Sequence, residues 1–431
     1  MKTIVQQADK FIKNKSLLIS ISQVIGSQLL IRVMGLIIGF MLIRILSKND
    51  YALYTVLITV QGMLIPLSNS STFIGFKKIG GQVWNNNRDL SQLIKTTDTI
   101  SNYIIGTAFF FVGAYATFIL IEQDILLNHI IWFLLCILLI VIPEVKSTFL
   151  KNALLFQKEI STVQKTDIIS QIPRFLLLAC LFAIMKENIT INIILLITIF
   201  STWLSYIFIQ NKTKILRNAK PKINLNYKQT IIKYIKLNWH NSVFYTFKGQ
   251  ISIFLIGVFG TTDSIADIGA LTRFTLIFMM VKSLIDNIFT PAFGRCQIKK
   301  DLKEMFKNAI SLIGFISLII LLLVYLFPNQ ILWVLGPKYQ NLSYELFLVF
   351  LTGSLNLLLG TVYAINLTKG WIKYTPTYEI PIDVITLLIG IIVFDVSNLT
   401  GVLYLALLSS STNLILHLFN SRFGLNHSES D

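Results

Sequence analysis

The stretch SQLLIRVMGLIIGFMLIRILSKNDYALY, residues 27–54, decides the fold class of this chain. It predicts an apolar helix, a short polar turn and the start of a second apolar helix. Arg32 lies well inside the first apolar run, where a charged side chain costs about 2.5–3.5 kcal/mol in a membrane. Because such a residue usually faces a cavity or a partner, the stretch indicates a membrane helix with more than a structural role.

The rest of the chain continues this pattern of apolar blocks. Of its 431 residues, 54% are hydrophobic and only 13% are charged, whereas soluble domains are about 25% charged. Lysines and arginines that hold loops on the cytoplasmic side explain the net charge of +16, so a nucleic-acid partner is not indicated. Cys136, Cys180 and Cys296 lack the spacing of a disulfide framework or a metal site.

The apolar blocks predict an all-α integral membrane protein with about twelve spans, each long enough to cross a bilayer. The predicted spans are 17–43, 51–76, 97–121, 125–150, 166–185, 189–209, 238–259, 264–293, 307–327, 342–367, 374–394 and 398–420. With both termini in the cytoplasm, most of the 37 Lys and Arg residues fall in cytoplasmic segments and few in external loops. This asymmetry is typical of membrane proteins and supports the topology.

A basic segment after the sixth span divides the chain. We expect an N-terminal six-helix bundle at 1–209, a basic cytoplasmic linker at 210–236 and a C-terminal six-helix bundle at 237–431. The segment LIRILSKNDYALYTVLITVQ (42–61) and the segment FLIGVFGTTDSIADIGALTR (254–273) both contain a helix, a turn with an acidic residue and a second helix. The two bundles are therefore predicted to be pseudo-symmetric, a common plan of transporters.

Enzyme motifs are absent from the sequence. It contains no G-x-x-x-x-G-K-[ST] phosphate loop, no H-E-x-x-H, no C-x-x-C and no Asp-x-Asp. His240 and His417 lie near the ends of predicted spans and are interpreted as interfacial. We therefore expect a protein without catalytic residues, metal or cofactor.

Basic residues inside the spans are the strongest functional signal. Arg32, Lys248 and Arg273 lie roughly 10–15 residues from the nearer end of their spans, which is near mid-bilayer at about 1.5 Å per residue. Arg174 and Lys282 lie closer to a cytoplasmic end, where a long side chain reaches the interface. The nine residues between Arg273 and Lys282 place the two on opposite faces of a straight helix, so only Arg273 is assigned to the cavity.

The first span carries a small polar face beside Arg32. Gln28, Gly35 and Gly39 fall at helical spacing from Arg32 and share its face. Small residues let membrane helices pack closely, but with an arginine among them they favour a lumen that holds a ligand. The predicted substrate-binding residues are Arg32, Lys248, Arg273, Gln28, Gly35 and Gly39.

The acidic residues within the spans are fewer. Asp286, Glu144 and Asp383 are candidates for coupling to a proton or cation, and each is equally a candidate for a salt bridge. Glu379 and Asp383 flank Pro381 in the eleventh span. Because the central excess of charge is cationic, the sequence favours an anionic substrate.

Two segments resemble a known family. They are RVMGLIIGFMLIRILSKNDYALYTVL at 32–57 and WVLGPKY at 333–339. The first resembles the opening pattern of Wzx-type polysaccharide flippases, within the multidrug/oligosaccharidyl-lipid/polysaccharide exporter superfamily, and the second resembles their L-G-P-x-Y segment. Residues 32–35 also resemble the R-V-L-G context of lipid II flippases, whose second arginine is replaced here by Ile38.

The resemblance implies a function and partners. Such proteins move undecaprenyl-diphosphate-linked oligosaccharide repeat units, of O-antigen or capsule, from the cytoplasmic to the periplasmic leaflet of the bacterial inner membrane. Two bundles alternate access to a central cationic cavity. The resemblance also implies contact with membrane lipid, a monomeric state, and a polysaccharide polymerase and a chain-length regulator as partners.

Two other functions stay open at this point. A membrane polysaccharide polymerase or ligase typically carries a large external loop with basic residues, and the external loops here are short. A drug or cation exporter on the same fold would require a central acidic site, whereas the central charges here are basic.

Overall fold

The computed structural model describes residues 15–184, 189–214, 221–296, 298–372 and 375–427. Side chains are described from residue 26 onward, except at 284, 286–288, 291, 375, 376 and 427. All regular elements in these ranges are helical, so the predicted all-α class is confirmed.

The helices in chain order are α1 (Lys15–Ile45), α2 (Lys48–Val83), α3 (Asn87–Glu122), α4 (Leu127–Phe156), α5 (Ile160–Ile184), α6 (Ile191–Lys212), α7 (Leu225–Gly249), α8 (Ile251–Phe259), α9 (Thr262–Leu271), α10 (Thr275–Arg295), α11 (Lys299–Leu326), α12 (Pro328–Trp333), α13 (Ser343–Lys369), α14 (Thr375–Val393) and α15 (Leu399–His427). Within the described residues, ten helices are long and apolar enough to cross a membrane, or eleven when the bent pair α7–α8 counts as one span. The remaining predicted span, 374–394, corresponds to α14.

Several helices continue beyond the predicted spans, on the side that the predicted topology places in the cytoplasm. α2 extends to Val83, and α3 begins at Asn87, where the Asn86 side chain accepts hydrogen bonds from the next turn. The predicted spans followed the apolar runs, but polar and charged residues also support a helix once it leaves the lipid. For the same reason α7 begins at Leu225, so the second half of the predicted linker 210–236 is helical.

Two of the predicted spans are broken near their middle. The seventh bends by 60° at Gln250, between α7 and α8. The eighth is interrupted by a 3₁₀ turn at Thr272–Phe274, between α9 and α10. Neither break contains a proline, so the apolar pattern alone did not reveal them. In the middle of a membrane, a broken helix requires other partners for its freed main-chain groups.

The helix α2 is the common neighbour of both halves of the chain. It packs against α3 and α4 on one side and against α7 and α9 on the other. A Cβ atom at Gly269 of α9 would lie 2.2 Å from Oγ1 of Thr55, so only glycine permits this approach of α2 and α9. In the second half, α13 has the central position and contacts α10, α11 and α15.

The starts of α2 and α9 are built alike. Ser47 caps α2 by accepting a hydrogen bond from the Asp50 main-chain nitrogen, and Thr261 caps α9 by accepting one from Ser264. Side-chain oxygens at these positions satisfy free N–H groups of the first turn. These equivalent starts lie within the two similar segments 42–61 and 254–273, and α2 and α9 contact each other.

Candidate functional site

Arg32 lies on α1 and reaches across to the other half of the chain. Its Nη1 donates a hydrogen bond to the main-chain oxygen of Met279, on α10, at 2.7 Å. The side chain is half-buried, and it forms no ion pair with any described residue. A guanidinium group has five N–H donors, so most of its hydrogen-bonding capacity is still available to a ligand.

The small residues that share a face with Arg32 have different surroundings. No heavy atom lies within 4 Å of the position that a Cβ atom of Gly35 would take, so this part of the face borders open space. At Gly39 the Cβ position is 3.3 Å from Cδ of Arg273, and the glycine gives the arginine room. Gln28 is half-buried, one turn from Arg32.

Arg273 lies in the 3₁₀ turn between α9 and α10. Its Nε donates a hydrogen bond to the Tyr51 hydroxyl at 3.2 Å, and that hydroxyl donates to the main-chain oxygen of Gly269 at 3.2 Å. The guanidinium carbon lies 5.7 Å from the ring centroid of Tyr54. The Nη2 atom is buried and has no hydrogen-bond partner among the described residues. Arg273 therefore connects the halves through tyrosines rather than carboxylates.

Lys248 is near the end of α7 and is paired. Its Nζ lies 2.6 Å from Oδ2 of Asp383, which is fully buried on α14. The other carboxylate oxygen of Asp383 accepts a hydrogen bond from Asn413 at 2.7 Å. A predicted substrate-binding residue and a predicted ion-coupling residue thus form one ion pair within the second half.

A second buried acidic group lies close to this pair. Glu379 Oε1 is 3.7 Å from Nε2 of His417, whose side chain is almost fully buried. The His417 ring also packs edge-on against the ring of Tyr363, with the centroids 5.2 Å apart. The interpretation of His417 as an interfacial residue was therefore wrong, because α15 continues to His427 and leaves His417 inside the bundle.

The acidic residue Glu144 belongs to the first half. It lies on α4 and accepts a hydrogen bond from Nε2 of Gln61, on α2, at 3.0 Å. Arg174, on α5, donates instead to the Tyr54 hydroxyl at 3.4 Å. The third candidate for ion coupling, Asp286, has a side chain that lies outside the described residues.

Contacts between the halves close the end of the molecule that the predicted topology places outside. Lys48, at the start of α2, lies 3.0 Å from Oδ1 of Asp267 and 3.6 Å from Oδ2 of Asp263, both on α9. Arg44, at the end of α1, donates from Nε to the main-chain oxygen of Val334 at 2.9 Å. We call these contacts, together with the hydrogen bond from Lys338 to the main-chain oxygen of Leu46, the outer clamp.

The segment WVLGPKY forms the other side of the outer clamp. Gly336 has a φ of 102°, a left-handed conformation that favours glycine. The turn presents Lys338, whose Nζ donates to the main-chain oxygen of Leu46 at 2.7 Å. The guanidinium carbon of Arg44 lies 4.6 Å from the ring centroid of Trp333. The two segments that carried the family resemblance therefore contact each other.

Two adjoining cavities lie on the other side of the outer clamp. The first, of about 630 Å³, lies within the second half between α7–α8, α10, α13 and α15, and Lys248, Lys282 and Met279 are among its lining residues. The second, of about 750 Å³, lies between α2 and α7 and extends to α13 and α14. Tyr245, Gly249, Tyr363 and Glu379 line both cavities, so the two adjoin each other.

The predicted residues thus occupy two neighbouring regions. Arg32, Gly39 and Arg273 lie together where α1 meets α10, and Lys248 lies in the second half. The two regions meet at Met279, whose main-chain oxygen binds Arg32 and whose side chain lines the smaller cavity. The pair of Glu379 and His417 was not predicted, because no local spacing relates residues on different helices.

No model of a known protein family matches the chain, and no curated protein matches it in sequence. Solved structures nevertheless share its fold. The lipid II flippase MurJ in an inward closed conformation is 16% identical, with a TM-score of 0.67 over 92% of this chain and 86% of MurJ. An inward-facing multidrug resistance MATE family transporter of the MOP superfamily is 10% identical, with a TM-score of 0.64 over 92% and 94% of the two chains.

A eukaryotic MATE transporter, AtDTX14, is 12% identical, with a TM-score of 0.54 over 95% of this chain and 98% of its own. In each case the overlap covers most of both chains, so the similarity concerns the whole architecture rather than one bundle. The chain therefore has the all-α multi-pass membrane fold of the MATE transporters and of the lipid II flippase MurJ.

Proposed function

We propose that this protein is a flippase of the Wzx type, which moves undecaprenyl-diphosphate-linked oligosaccharide repeat units from the cytoplasmic to the periplasmic leaflet. The observation that carries the proposal is that Arg32 has no acidic partner among the described residues. Its guanidinium group lies between the halves, beside the open space at Gly35, and its bond is to a main-chain oxygen rather than a carboxylate. An uncompensated cation at this depth suits an anionic ligand.

A diphosphate is the anion that fits these residues. Arginine forms bidentate, charge-assisted hydrogen bonds with phosphate oxygens, which are stronger than neutral hydrogen bonds. Arg273 supplies a second guanidinium group with a buried, unpartnered nitrogen. Each elementary charge that moves across 100 mV is worth about 2.3 kcal/mol, so the membrane potential favours outward movement of an anionic head group.

Alternating access follows from the two ends of the molecule. The outer clamp closes the external end, while Pro66, Ser70 and Ile74 line the larger cavity from the half of α2 that the predicted topology directs toward the cytoplasm. In this conformation the head group enters from the cytoplasmic side and the lipid tail stays in the bilayer. Release on the other side requires the outer clamp to open.

Ion coupling is a separate part of the proposal. Asp383 and Glu144 are the described candidates. In this conformation Lys248 forms an ion pair with Asp383, and Gln61 donates a hydrogen bond to Glu144. A proton or cation would bind only after these partners move. The bacterial inner membrane, a monomeric state, and cooperation with a polysaccharide polymerase and a chain-length regulator remain proposals of the same kind.

The test replaces the cavity cations in a host that depends on this gene. We expect Arg32→Ala, at normal membrane levels, to abolish surface polysaccharide and to accumulate lipid-linked repeat units inside. Arg422→Ala, which removes an exposed arginine at the cytoplasmic end of α15, is the matched control and leaves export unchanged. Normal surface polysaccharide in Arg32→Ala, Lys248→Ala and Arg273→Ala alike would refute the proposal.

A second candidate function is the export of cationic drugs. Two observations favour it: the fold is shared with a multidrug resistance MATE transporter, and the buried carboxylates of Glu379 and Asp383 lie at the smaller cavity or beside it. Deletion of the gene would then sensitise cells to cationic dyes and leave surface polysaccharide intact. Deletion of a flippase gene would instead abolish surface polysaccharide and leave the sensitivity to cationic dyes unchanged.

A further inference from the structure

The larger cavity has a composition different from the region around Arg32. It is a cleft of about 750 Å³ between α2 and α7, closed on the far side by α13 and α14. Eight of its fourteen lining residues carry uncharged hydroxyl or amide groups, and one, Glu379, carries a charge. Glu379 faces His417, so its charge has a partner within the protein. The cleft therefore presents hydroxyl and amide groups and almost no charge.

Amide side chains are concentrated on α7. Asn238 and Asn241 line the cleft from this helix, and Gln250 lines it from the bend that follows. On the α2 side the lining includes Ser70, and its neighbour Ser71 bonds Ser242 of α7 at 2.7 Å, which holds the two helices together at the cleft. Asn and Gln side chains each present both a hydrogen-bond donor and a hydrogen-bond acceptor. This wall therefore suits ligand groups, such as hydroxyls, that both donate and accept hydrogen bonds.

Part of this hydrogen-bonding capacity is unused. Oδ1 of Asn241 and Oγ of Ser70 are buried and have no partner among the described residues. Buried polar atoms are almost always hydrogen-bonded in native proteins, and an exception calls for an explanation. The two atoms belong to residues on opposite walls of one cleft, where a ligand that bonds to both would satisfy them.

The shared residues connect the cleft to the cationic region. Tyr245 and Tyr363 line both the cleft and the smaller cavity. The smaller cavity reaches Met279, whose main-chain oxygen holds Arg32. Tyrosine presents an apolar ring face together with a hydroxyl group, which matches the C–H and O–H faces of a sugar ring. A ligand with an anionic end and a neutral polar end would span both regions.

We propose that the α2–α7 cleft binds the glycan part of the substrate, an uncharged oligosaccharide, while the diphosphate lies at Arg32. This inference rests on the proposed flippase function and adds a location and a chemistry to it. The volume is within the range of about 300–1,000 Å³ that pockets for small molecules occupy. The cleft therefore holds a few sugar rings of a longer repeat unit, and its amide wall selects neutral rather than acidic sugars.

The experiment captures the native ligand in cells. Photoreactive benzoyl-phenylalanine replaces Asn238 or Thr246 in the cleft, or Phe315 on the exposed surface of α11 as the control. After irradiation the protein is purified and the mass of each adduct is measured. We expect adducts with the mass of sugar units at Asn238 and Thr246, and adducts of lipid alone at Phe315.

Each outcome separates this inference from the proposed function. If the cleft positions capture only lipid while Arg32→Ala still blocks surface polysaccharide, the glycan location is wrong and the flippase function stands. If no position captures a glycan and Arg32→Ala leaves the polysaccharide normal, both are wrong.

A matched pair of asparagine variants makes the photocrosslinking test quantitative. In the Thr246 photoreactive protein, we expect Asn241→Leu to lower the glycan adduct about threefold to tenfold, the effect of losing one hydrogen bond. Asn226→Leu, at the exposed cytoplasmic end of the same helix, leaves the adduct unchanged. An unchanged adduct in Asn241→Leu, at equal membrane levels, overturns the inference.

Discussion

Arg44 donates a hydrogen bond from its Nε to the main-chain oxygen of Val334 at 2.9 Å, although 290 positions separate the two residues. Arg44 lies in the last turn of α1, directly after the first predicted span. The structure places it in the outer clamp, where it joins α1 to the turn before α13. Closure of the external end therefore depends on a cation that faces protein.

Loss of the outer clamp should expose the contact between α2 and α9. In a variant without the native cysteines, Thr55→Cys places a thiol at a fully buried position beside Gly269. We expect the double substitution Arg44→Ala, Lys338→Ala to speed external labelling of this thiol by about tenfold or more, because each hydrogen bond to a charged group contributes about 1.5–3 kcal/mol. A membrane-impermeant maleimide on intact cells measures the rate.

The control for this labelling experiment is Arg422→Ala, which removes an exposed arginine at the opposite end of the molecule. It should leave the rate unchanged. Equal rates in the parent and in the double variant would show that the outer clamp does not hold the halves closed.

The ion pair of Lys248 and Asp383 predicts that removing one charge destabilises the protein more than removing both. Lys248→Met leaves a buried carboxylate without its cation and should lower the free energy of unfolding by about 3–5 kcal/mol. The double substitution Lys248→Met, Asp383→Leu removes both charges and should recover most of this loss. Thermal unfolding of the purified protein in detergent measures both variants.

Transport by the double variant assigns the role of Lys248. Normal export with both charges removed would mean that the lysine serves the ion pair and not the substrate. A double variant as unstable as the single one would contradict the assignment of the loss to an unpaired buried charge.

Gly39 and Gly35 offer a matched comparison on one helix. Gly39→Val inserts a side chain 3.3 Å from the Arg273 side chain and should cost about 1–3 kcal/mol of stability, the usual effect of overpacking. Gly35→Val enters open space and should change stability by less than about 0.5 kcal/mol. Similar losses in the two variants, measured by unfolding in detergent, would contradict the close packing of α1 on Arg273.

Asp395 lies in the loop before α15, and its surroundings predict that the stability of the fold depends on pH. Hydrogen bonds from the side chain and the main chain of Ser397 hold the pKa of this carboxyl below its usual value of 3.8. A lowered pKa stabilises the folded state above the usual value, and this stability is lost as the pH falls through the lowered one. Asp395→Asn should therefore be less stable than the parent at pH 6, and the difference should shrink below about pH 4.

Thermal unfolding of both proteins across this pH range is the measurement. Asp431→Asn alters a carboxylate at the end of the chain and controls for a general effect of charge. A difference that stays constant down to pH 3 would show that the carboxylate of Asp395 does not act through its ionised form.

Much of the architecture was predictable because membrane insertion leaves a strong pattern in the sequence. Apolar runs indicated the helices, and the polar turn predicted around Asp50 contains the cap that the structure shows at Ser47. The breaks at Gln250 and at Thr272–Phe274 were not predicted, since neither contains the proline that usually marks a kink.

The candidate site was predictable in its residue types and less so in its geometry. The cost of charge in lipid identified Arg32, Lys248 and Arg273. It did not reveal that Lys248 is paired with Asp383, because the sequence places these residues 135 positions apart on different helices. The polar face of α7 was also missed, because amides and hydroxyls carry no charge that would distinguish them from a packing surface.

Main-chain oxygens are the acceptors in several contacts between the halves. The donor and acceptor pairs are Arg32 with Met279, Arg44 with Val334, Tyr51 with Gly269, and Lys338 with Leu46. An acceptor of this kind survives most substitutions at its own position, so selection for the hydrogen bond itself acts on only the donor residue of each pair. At these contacts the two halves of this protein can therefore diverge without compensating changes, and the contacts would leave little covariation between positions in an alignment of its relatives.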